Sequence, residues 1–365
     1  MRSEDKSKEY NRIKIILAIS KTVLSFTLLI MLIAVGLSDR LERLALSFNG
    51  NDYVALILFV VFFGLIINSL LLPVDFYEDY LLEHKYGLSN QNITMWIKER
   101  LKSLAVSGAI GIPLILIFYW TLKKFGNLWW LPFGFVTFLF SALLARILPQ
   151  VIMPLFYKIT PLENERLKDK IKELFEKAGL KVESVVKFNM SKNTRKANAA
   201  FTGLGKTKRI LLADTLLDNY TPEQIITVIA HELGHYRKKH IIKNIIIGTV
   251  FSFLSFYLAA ELYANAVVWF GYDNIYRIAA LPLLLICLGF IMIVFTPLTN
   301  YISRKFEYEA DEYAVETTGY KEDFINTLVS LSEQNLADKD PHPLVEWFFY
   351  SHPSLKKRIG YIEKL

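Results

Sequence analysis

The chain has 365 residues, is 53% hydrophobic and carries a formal charge of +7. A soluble globular protein is usually less apolar, and the excess lies in long runs, so the composition indicates a membrane protein rather than a nucleic-acid-binding one. The single cysteine, Cys287, excludes an intrachain disulfide and any zinc site with several cysteine ligands.

Six apolar runs approach the roughly 20 residues that a helix needs to cross a bilayer. The runs are Ile15–Leu37, Tyr53–Pro73, Leu104–Leu122, Leu128–Ala145, Ile245–Phe270 and Ile278–Leu298. We therefore expect a mainly α, polytopic membrane protein of about six spans. The first run is long for a signal peptide and no clear cleavage site follows it, so we expect an uncleaved span. Lys21 and Glu261 lie inside runs and must reach the interface, pair, or face a polar cavity.

The basic residues predict the orientation of the spans. The loops at 38–52, 123–127 and 271–277 together hold five lysines and arginines, as many as the tail before Ile15 alone. Because basic residues are retained on the cytosolic side, we expect both termini and the central segment in the cytosol. The membrane is then a bacterial inner membrane or an endoplasmic reticulum membrane, with any active site facing the cytosol.

The segment after the fourth run is predicted to be a small α+β domain. Apolar residues recur at helical spacing from Leu167 to Ala178, and Gly179 is a natural stop. The predicted strands are Val185–Phe188, Ile210–Ala213 and Asn198–Gly203, the last turning at Gly205–Lys206.

A further helix is predicted to begin after Thr221, which is a plausible N-cap. Pro222 suits the first helical position and Gln224 completes a capping box. The helix carries the motif His231-Glu232-Leu233-Gly234-His235 and continues toward the fifth span with little sign of a break.

The H-E-x-x-H motif is the strongest chemical signal in the chain. On a helix, His231 and His235 share a face about 6 Å apart, where two imidazoles can bind one tetrahedral zinc. Glu232 then points toward the open coordination position and can take a proton from water. A chance match is the alternative, but the well-capped helix with its apolar packing face favours a metal site.

The third ligand is expected from elsewhere, because no histidine follows His235 at the spacing of a three-histidine motif. The candidate is the segment Phe306–Asp311 after the last span. Glu307 and Asp311 share a helical face there, so one carboxylate can bind zinc while the other orients a ligand histidine. By spacing alone the ligand remains open among Glu307, Glu309 and Glu312.

Several segments spread over nearly the whole chain fit one family pattern. They are Leu72–Pro73 with Glu83–Leu88, then Pro154–Phe156, Thr160–Leu162, Asn198–Gly203, Asp214–Leu217, the H-E-x-x-H motif, Ser303–Asp311 and Tyr350–Pro353. On these residues the chain resembles the type I CAAX prenyl proteases, membrane zinc metallopeptidases with a glutamate as third ligand. The N-A-x-x-x-G, E-Y-x-A-D and Y-S-H-P segments make the resemblance more specific than H-E-x-x-H alone.

The resemblance implies roles for particular residues. Glu307 becomes the third zinc ligand and Asp311 the residue behind a ligand histidine. His352 and Arg358 become contacts to substrate or transition state, with a helix cap beside Pro353 as the alternative for His352. The implied edge strand that pairs with substrate backbone contains Asn198, Ala199, Ala200 and Phe201.

The chain departs from the family at one point. The eukaryotic relatives have seven spans around a water-filled chamber, whereas six are predicted here and the first is the one missing. The chamber wall is then incomplete or closed by a partner. We divide the chain into a four-span membrane domain (1–154), a metalloprotease domain (155–240), a two-span hairpin (241–300) and a C-terminal segment that supplies the third ligand (301–365).

The predicted function is that of a zinc metalloendopeptidase with one Zn²⁺ per chain, acting on peptides or proteins at the cytosolic membrane face. The resemblance implies prenylated C-terminal peptides as substrates and contact with membrane lipid; no nucleic acid is expected. One alternative is a protease that clears damaged membrane proteins, and a source cell that prenylates CAAX proteins would discriminate. The other is a non-catalytic scaffold or transporter with a structural metal site, against which Glu232 argues because such a site needs no general base.

Overall fold

The computed structural model describes residues 3–180, 184–202 and 209–365. The first part of the chain contains α1 (Ser3–Ala34), α2 (Leu37–Phe48), α3 (Asp52–Phe76), α4 (Glu83–Lys85), α5 (Ile93–Phe125), α6 (Trp130–Ile147) and α7 (Met153–Phe156). A π-helical stretch, Tyr77–Leu82, joins α3 to α4.

The second part of the chain adds a small sheet and the remaining helices. Its elements are β1 (Ile159–Pro161), α8 (Glu165–Lys177), β2 (Ser184–Phe188), β3 (Ala199–Thr202), β4 (Arg209–Ala213), α9 (Asp214–Leu217), α10 (Pro222–Arg237), α11 (His240–Trp269), α12 (Leu281–Thr318), α13 (Lys321–Gln334), α14 (Pro343–Phe349) and α15 (Leu355–Ile362).

The expected membrane architecture is confirmed. Within the described residues, six helical segments built on α1, α3, α5, α6, α11 and α12 are long and apolar enough to cross a bilayer. Lys21 pairs with Asp75 and lies 3.8 Å from Glu78, both at the end of the second span. Glu261 is instead exposed on α11, so of the two charges inside apolar runs one is paired within the protein.

The stretch 38–52, predicted as a loop, instead contains α2. Leu41 and Ala45 recur at helical spacing and are buried, whereas Arg40, Arg43 and Ser47 are exposed. The stretch is too polar and too short to cross a bilayer. An amphipathic helix that packs on the ends of the spans satisfies this pattern, which a search for long apolar runs does not detect.

The three connections predicted to share one side of the membrane lie together. In the loop 271–277, Arg277 Nη2 lies 3.1 Å from Asp39 Oδ1 and 2.9 Å from Glu42 Oε2 on α2. The third connection joins them through Lys123, whose Nζ lies 2.6 Å from Asp52 Oδ2, and Tyr119 in the preceding turn of α5 donates to the backbone oxygen of Tyr276 at 3.1 Å.

The sheet has the strand order β1-β2-β4-β3, which leaves β3 at an edge. β2 and β4 are parallel, whereas β1 and β3 pair antiparallel with their neighbours. The strands predicted at Val185–Phe188 and Ile210–Ala213 are confirmed, and β3 covers most of the third. Gly203 and the predicted turn at Gly205–Lys206 lie outside the described residues.

The α10 helix starts as predicted but ends earlier than expected. The side chain of Thr221 accepts from the Gln224 backbone N–H, the Gln224 side chain accepts from the Thr221 N–H, and Pro222 takes the first helical position. The expectation of a continuous helix into the fifth span is wrong. Lys239 adopts a left-handed conformation with φ 59°, and α11 begins anew at His240.

The α10 helix is held from both sides. One face packs on the sheet through Ile225 and Ile229, in a core that also contains Leu212 of β4 and Phe324 of α13. The other face packs against α12, near the end that the basic residues predict to lie in the cytosol. The motif is therefore fixed between the sheet and the last span.

Candidate active site

Three residues predicted as ligands face one another across the α10–α12 contact. The Nε2 atoms of His231 and His235 are 3.2 Å apart. Glu307 Oε1 lies 3.3 Å from His235 Nε2, and Glu307 Oε2 lies 3.5 Å from His231 Nε2. Tetrahedral ligand atoms about 2.0–2.2 Å from one zinc ion are roughly 3.3–3.6 Å from each other. The trio therefore fits a single tetrahedral metal ion in both donor chemistry and spacing.

Asp311 lies behind His231. Its Oδ1 is 2.8 Å from His231 Nδ1, and the carboxylate is fully buried. Arg358 of α15 holds both carboxylate oxygens, with Nε 2.8 Å from Oδ2 and Nη2 2.5 Å from Oδ1. Because the far nitrogen of a metal-bound histidine normally donates to such a carboxylate, this arrangement leaves His231 Nε2 directed at the trio.

Burial and nearby carboxylates act on pKa values in opposite directions here. Burial lowers the pKa of His231, but the carboxylates of Asp311 and Glu307 outweigh it and raise that pKa to about 10. Burial likewise lowers the pKa of Arg358, but Asp311 raises it above its ordinary value, so the guanidinium stays charged. In the metal-free protein a proton therefore competes with a metal ion for His231.

The structure distinguishes among the three glutamates that sequence spacing left as candidates for the third ligand. Glu307 joins the two imidazoles, whereas Glu309 Oε2 lies 2.9 Å from His240 Nε2. Glu312 faces Tyr361 of α15, where burial and the Glu312 carboxylate raise the pKa of the tyrosine. Among the described residues, only Glu307 completes a three-ligand group with His231 and His235.

Sequence reasoning missed His240. Its Nδ1 is 2.9 Å from His235 Nδ1, directly behind the second ligand histidine. A position five residues from His235 lies off the shared face of a continuous helix. The break at Lys239 brings the ring back, and no glycine, asparagine or proline marks that break in the sequence.

An open cavity of about 490 Å³ adjoins the trio. Glu232, His231, Glu307 and Arg358 border it, with Asn198 and Ala199 at the start of β3. Its apolar wall is formed by Leu216, Val228, Phe324, Leu328 and Leu331, and its rim by residues 349–355.

Of the four residues predicted to pair with the substrate backbone, two line the cavity and two lie away from it. Asn198 and Ala199 line the cavity, whereas the described lining does not include Ala200 or Phe201. The Phe201 ring packs against Tyr236 at 5.2 Å between ring centres, and Ala200 pairs with Leu211 of β4. The cavity therefore meets the beginning of the edge strand.

His352 lies at the rim of the cavity. Its Nδ1 is 2.9 Å from Glu307 Oε2, although the side chain is 65% exposed. The next helix begins at Leu355, with Ser354 in the cap position. The structure thus places His352 beside the proposed ligands and not at a helix terminus.

Two family models together match nearly the whole chain. Residues 161–365 match the model of peptidase family M48, and residues 2–158 match that of the CAAX prenyl protease N-terminal region. The chain belongs to peptidase family M48. The N-terminal model is described by five membrane helices, and four of the candidate spans lie within the residues that it matches.

Similar proteins cover most of the chain. An uncharacterized metalloprotease of Bacillus subtilis, YhfN, is 32% identical over 98% of this chain and 85% of its own length. CAAX prenyl protease 1 of Saccharomyces cerevisiae is 34% identical over 79% of this chain and 67% of its own. The crystal structure of S. mikatae Ste24p superposes with a TM-score of 0.87 at 28% identity, covering 99% of this chain and 89% of that one.

These findings confirm the main predictions from sequence. The chain is a multi-pass membrane metalloprotease of the zinc class, similar to the CAAX prenyl proteases, and it acts on peptide or protein substrates. The metal implied by the family is one that the cluster of His231, His235 and Glu307 can hold.

Proposed function

We propose that this enzyme holds one Zn²⁺ per chain at His231, His235 and Glu307 and cleaves peptide bonds within the adjoining cavity. The observation that carries the proposal is that one cavity is bordered by two of the three proposed ligands, His231 and Glu307, by Glu232 and by the start of an edge strand. A non-catalytic scaffold would need neither a free carboxylate beside the metal ligands nor an open cavity in front of them.

Zinc bound there supplies Lewis acidity for attack of water on the scissile carbonyl. Glu232 accepts a proton from the attacking water and later delivers it to the leaving amine. Its position directly after His231 on α10 makes the carboxylate a neighbour of the trio. Asp311, held by Arg358, keeps the His231 imidazole in place throughout.

His352 and Arg358 complete the site next to Glu307, with His352 Nδ1 2.9 Å and Arg358 Nη1 3.8 Å from Glu307 Oε2. We assign His352 a contact with the carbonyl oxygen that gains negative charge, because its imidazole lies within hydrogen-bond distance of Glu307 and remains solvent-accessible. Arg358 borders the same cavity, and its charge stabilises the negative charge that develops there.

The substrate is proposed to bind as an additional strand along β3. An edge strand presents unpaired backbone N–H and C=O groups, and an extended peptide can pair with them. The cavity meets this edge at Asn198 and Ala199. Ala200 and Phe201 contribute through their backbone, because the Phe201 side chain is taken up by the core.

The active site is proposed to lie at the cytosolic membrane face. The three connections with few basic residues meet on one side. Glu307 lies toward the other end of α12, and His231 and His235 lie on α10, which leads into the other end of α11. The proposed four-part division of the chain fits this arrangement, because the 241–300 hairpin connects the protease domain to the segment that supplies Glu307.

Membrane lipid is proposed to enter the bundle. An apolar cavity of about 540 Å³ is lined by residues of all six candidate spans, among them Leu29, Phe63, Phe118, Phe256 and Leu284. Such a cavity suits hydrocarbon better than peptide. Although the first span of the family pattern is the one predicted to be missing, each of the six candidate spans contributes to the lining of this cavity.

The preferred substrates are proposed to be proteins with prenylated C-termini. The similarity to CAAX prenyl protease 1 of yeast and to Ste24p supports this class. A second candidate is the clearance of damaged membrane proteins. This activity needs no prenyl group, and the Bacillus subtilis relative that matches 98% of this chain is named only as a metalloprotease.

A peptide assay separates the two candidates. Purified enzyme in detergent is given one C-terminal peptide in farnesylated and unprenylated forms, and separately a misfolded membrane protein. Selective cleavage of the farnesylated peptide supports the first candidate, and cleavage of the misfolded protein with no preference for the farnesyl group supports the second. The Glu232→Gln variant serves as the blank, and a zinc-loaded wild type that cleaves none of the three substrates contradicts the proposed peptidase.

A further inference from the structure

His240 is enclosed on three sides next to the metal-ligand trio. Its Nδ1 faces His235 Nδ1 at 2.9 Å, and its Nε2 faces Glu309 Oε2 at 2.9 Å. The ring stacks on Phe306 with 4.2 Å between ring centres and 9° between planes. Only 1% of the residue is exposed. The imidazole therefore cannot reorient without losing both polar partners and the stack.

The positions of the protons follow from these contacts. A neutral imidazole carries one N–H and one lone pair. An ionised Glu309 can only accept, so the proton of a neutral His240 belongs on Nε2. Nδ1 of His240 then carries the lone pair and must accept from His235 Nδ1–H. His235 in turn has its lone pair on Nε2, which is the atom that faces the trio.

We propose that Glu309 and His240 are positioning residues that set the tautomer of His235 for metal binding. This inference rests on the proposed metal site at His231, His235 and Glu307. The reverse proton arrangement would place a hydrogen on His235 Nε2, where it would block the metal ion, and would leave the His240 lone pair facing a carboxylate.

The other ligand histidine, His231, is positioned by a carboxylate without an intervening imidazole. Asp311 Oδ1 lies directly behind it, 2.8 Å from His231 Nδ1. For His235, one imidazole is inserted between ligand and carboxylate. The α12 helix thus provides Glu307 to the metal site and the carboxylates of Glu309 and Asp311 to the two ligand histidines.

The interruption of the helix between α10 and α11 makes the contact between His240 and His235 possible. The left-handed Lys239 ends α10 and lets α11 begin at His240, whose ring then lies against His235. Lys243, one turn further along α11, lies 3.4 Å from Glu309 Oε2 and helps to hold that carboxylate in place.

The test measures zinc affinity rather than turnover. His240→Phe keeps an aromatic ring for the stack on Phe306 but cannot accept from His235. His240→Gln can accept through its side-chain oxygen and donate to Glu309 through its amide nitrogen. Glu309→Ala removes the terminal acceptor, and Glu316→Ala, at an exposed position of the same helix, is the matched control for the loss of charge.

Zinc dissociation constants are obtained for the full-length protein in detergent by competition with a chelator. We expect His240→Phe and Glu309→Ala to weaken zinc binding by about 10–100-fold, the range found when such supporting residues are removed. His240→Gln should recover most of the affinity, and Glu316→Ala should match wild type. Thermal unfolding of each metal-free variant shows whether it is folded.

The outcomes separate this inference from the function on which it rests. Wild-type affinity in folded His240→Phe, or equal losses in the Phe and Gln variants, would overturn the positioning role while leaving the metal site intact. A wild type that binds no zinc at all contradicts the proposed metal site itself.

Discussion

Gly234 lies against Ala310 so closely that a Cβ atom placed on the glycine would sit 3.0 Å from the Ala310 Cα and 3.1 Å from its carbonyl oxygen. The neighbouring atoms are backbone, which cannot yield as a flexible side chain can. The two small residues let α10 and α12 approach closely enough for ligands from both helices to share one ion.

Gly234→Ala is therefore expected to push the two helices apart. Overpacking of this kind costs about 1–3 kcal/mol, and the displaced Glu307 should bind metal less tightly. The measurements are thermal unfolding and zinc content of the purified protein. Gly248→Ala is the control, because a Cβ atom at that position of α11 meets nothing within 4 Å. Equal behaviour of the two variants would show that the close approach is not required.

The third-ligand assignment predicts a graded response among three glutamates. Glu307→Ala should lose zinc, because it removes one of only three protein ligands. Glu309→Ala should bind zinc more weakly but retain it at high concentration, and Glu312→Ala should resemble wild type. Metal analysis after dialysis against defined zinc concentrations gives the order. Loss of zinc from Glu309→Ala alone would assign the ligand to Glu309 instead.

Glu232→Gln is expected to keep zinc and lose peptidase activity. Removal of a general acid–base group costs about 10²–10⁴-fold in rate, and the loss is expected at the upper end because the same carboxylate also orients the attacking water. Turnover of a peptide substrate and metal content are measured on the same preparation. Near-normal turnover would show that another group takes the proton.

Much of this site could be predicted because its signals are local. The cap at Thr221, the spacing of His231 and His235, and the i,i+4 pair of Glu307 and Asp311 each depend on helical geometry within one segment. The six spans follow in the same way from length and apolarity. The family resemblance added the choice of Glu307, which spacing alone had left open.

The features that were missed depend on tertiary contacts. His240 reaches His235 only through a left-handed lysine, a conformation that lysine does not favour and that sequence patterns therefore do not indicate. The position of His240 is stabilised by its stack on Phe306, which lies 66 positions further along the chain. The α2 helix was missed because its amphipathic pattern has neither the length nor the apolarity of a span.

Removing one member of the buried pair of Asp311 and Arg358 is expected to destabilise the protein more than removing both charges. Arg358→Met leaves a fully buried carboxylate without its main partner, which costs about 3–5 kcal/mol. The double variant Arg358→Met with Asp311→Asn removes the uncompensated charge and should recover part of that loss. Denaturation in detergent measures both. A double variant less stable than Arg358→Met would contradict this account.

The orientation of the active site in the membrane can be tested by labelling single cysteines. The ligand-bearing ends of α10 and α12 must lie on one side, because His231 and Glu307 meet there at 3.5 Å. Lys172 on α8 belongs to that side, since α8 packs in the core of the protease domain. Asp340 belongs to it as well, because it bonds Lys356 on α15 at 2.8 Å. On the opposite side, Asp273 lies in the connection that Arg277 ties to α2.

The experiment uses sealed vesicles and a Cys287→Ala background with Lys172→Cys, Asp340→Cys or Asp273→Cys. All three native side chains are largely exposed, at 75%, 53% and 82%, so each cysteine should react where the reagent has access. The excess of basic residues predicts that the first two label from the cytosolic side and the third from the other. The reverse pattern for all three would keep the fold and invert the orientation. Labelling of Lys172→Cys and Asp340→Cys from opposite faces would separate the two halves of the site and exclude a shared metal ion.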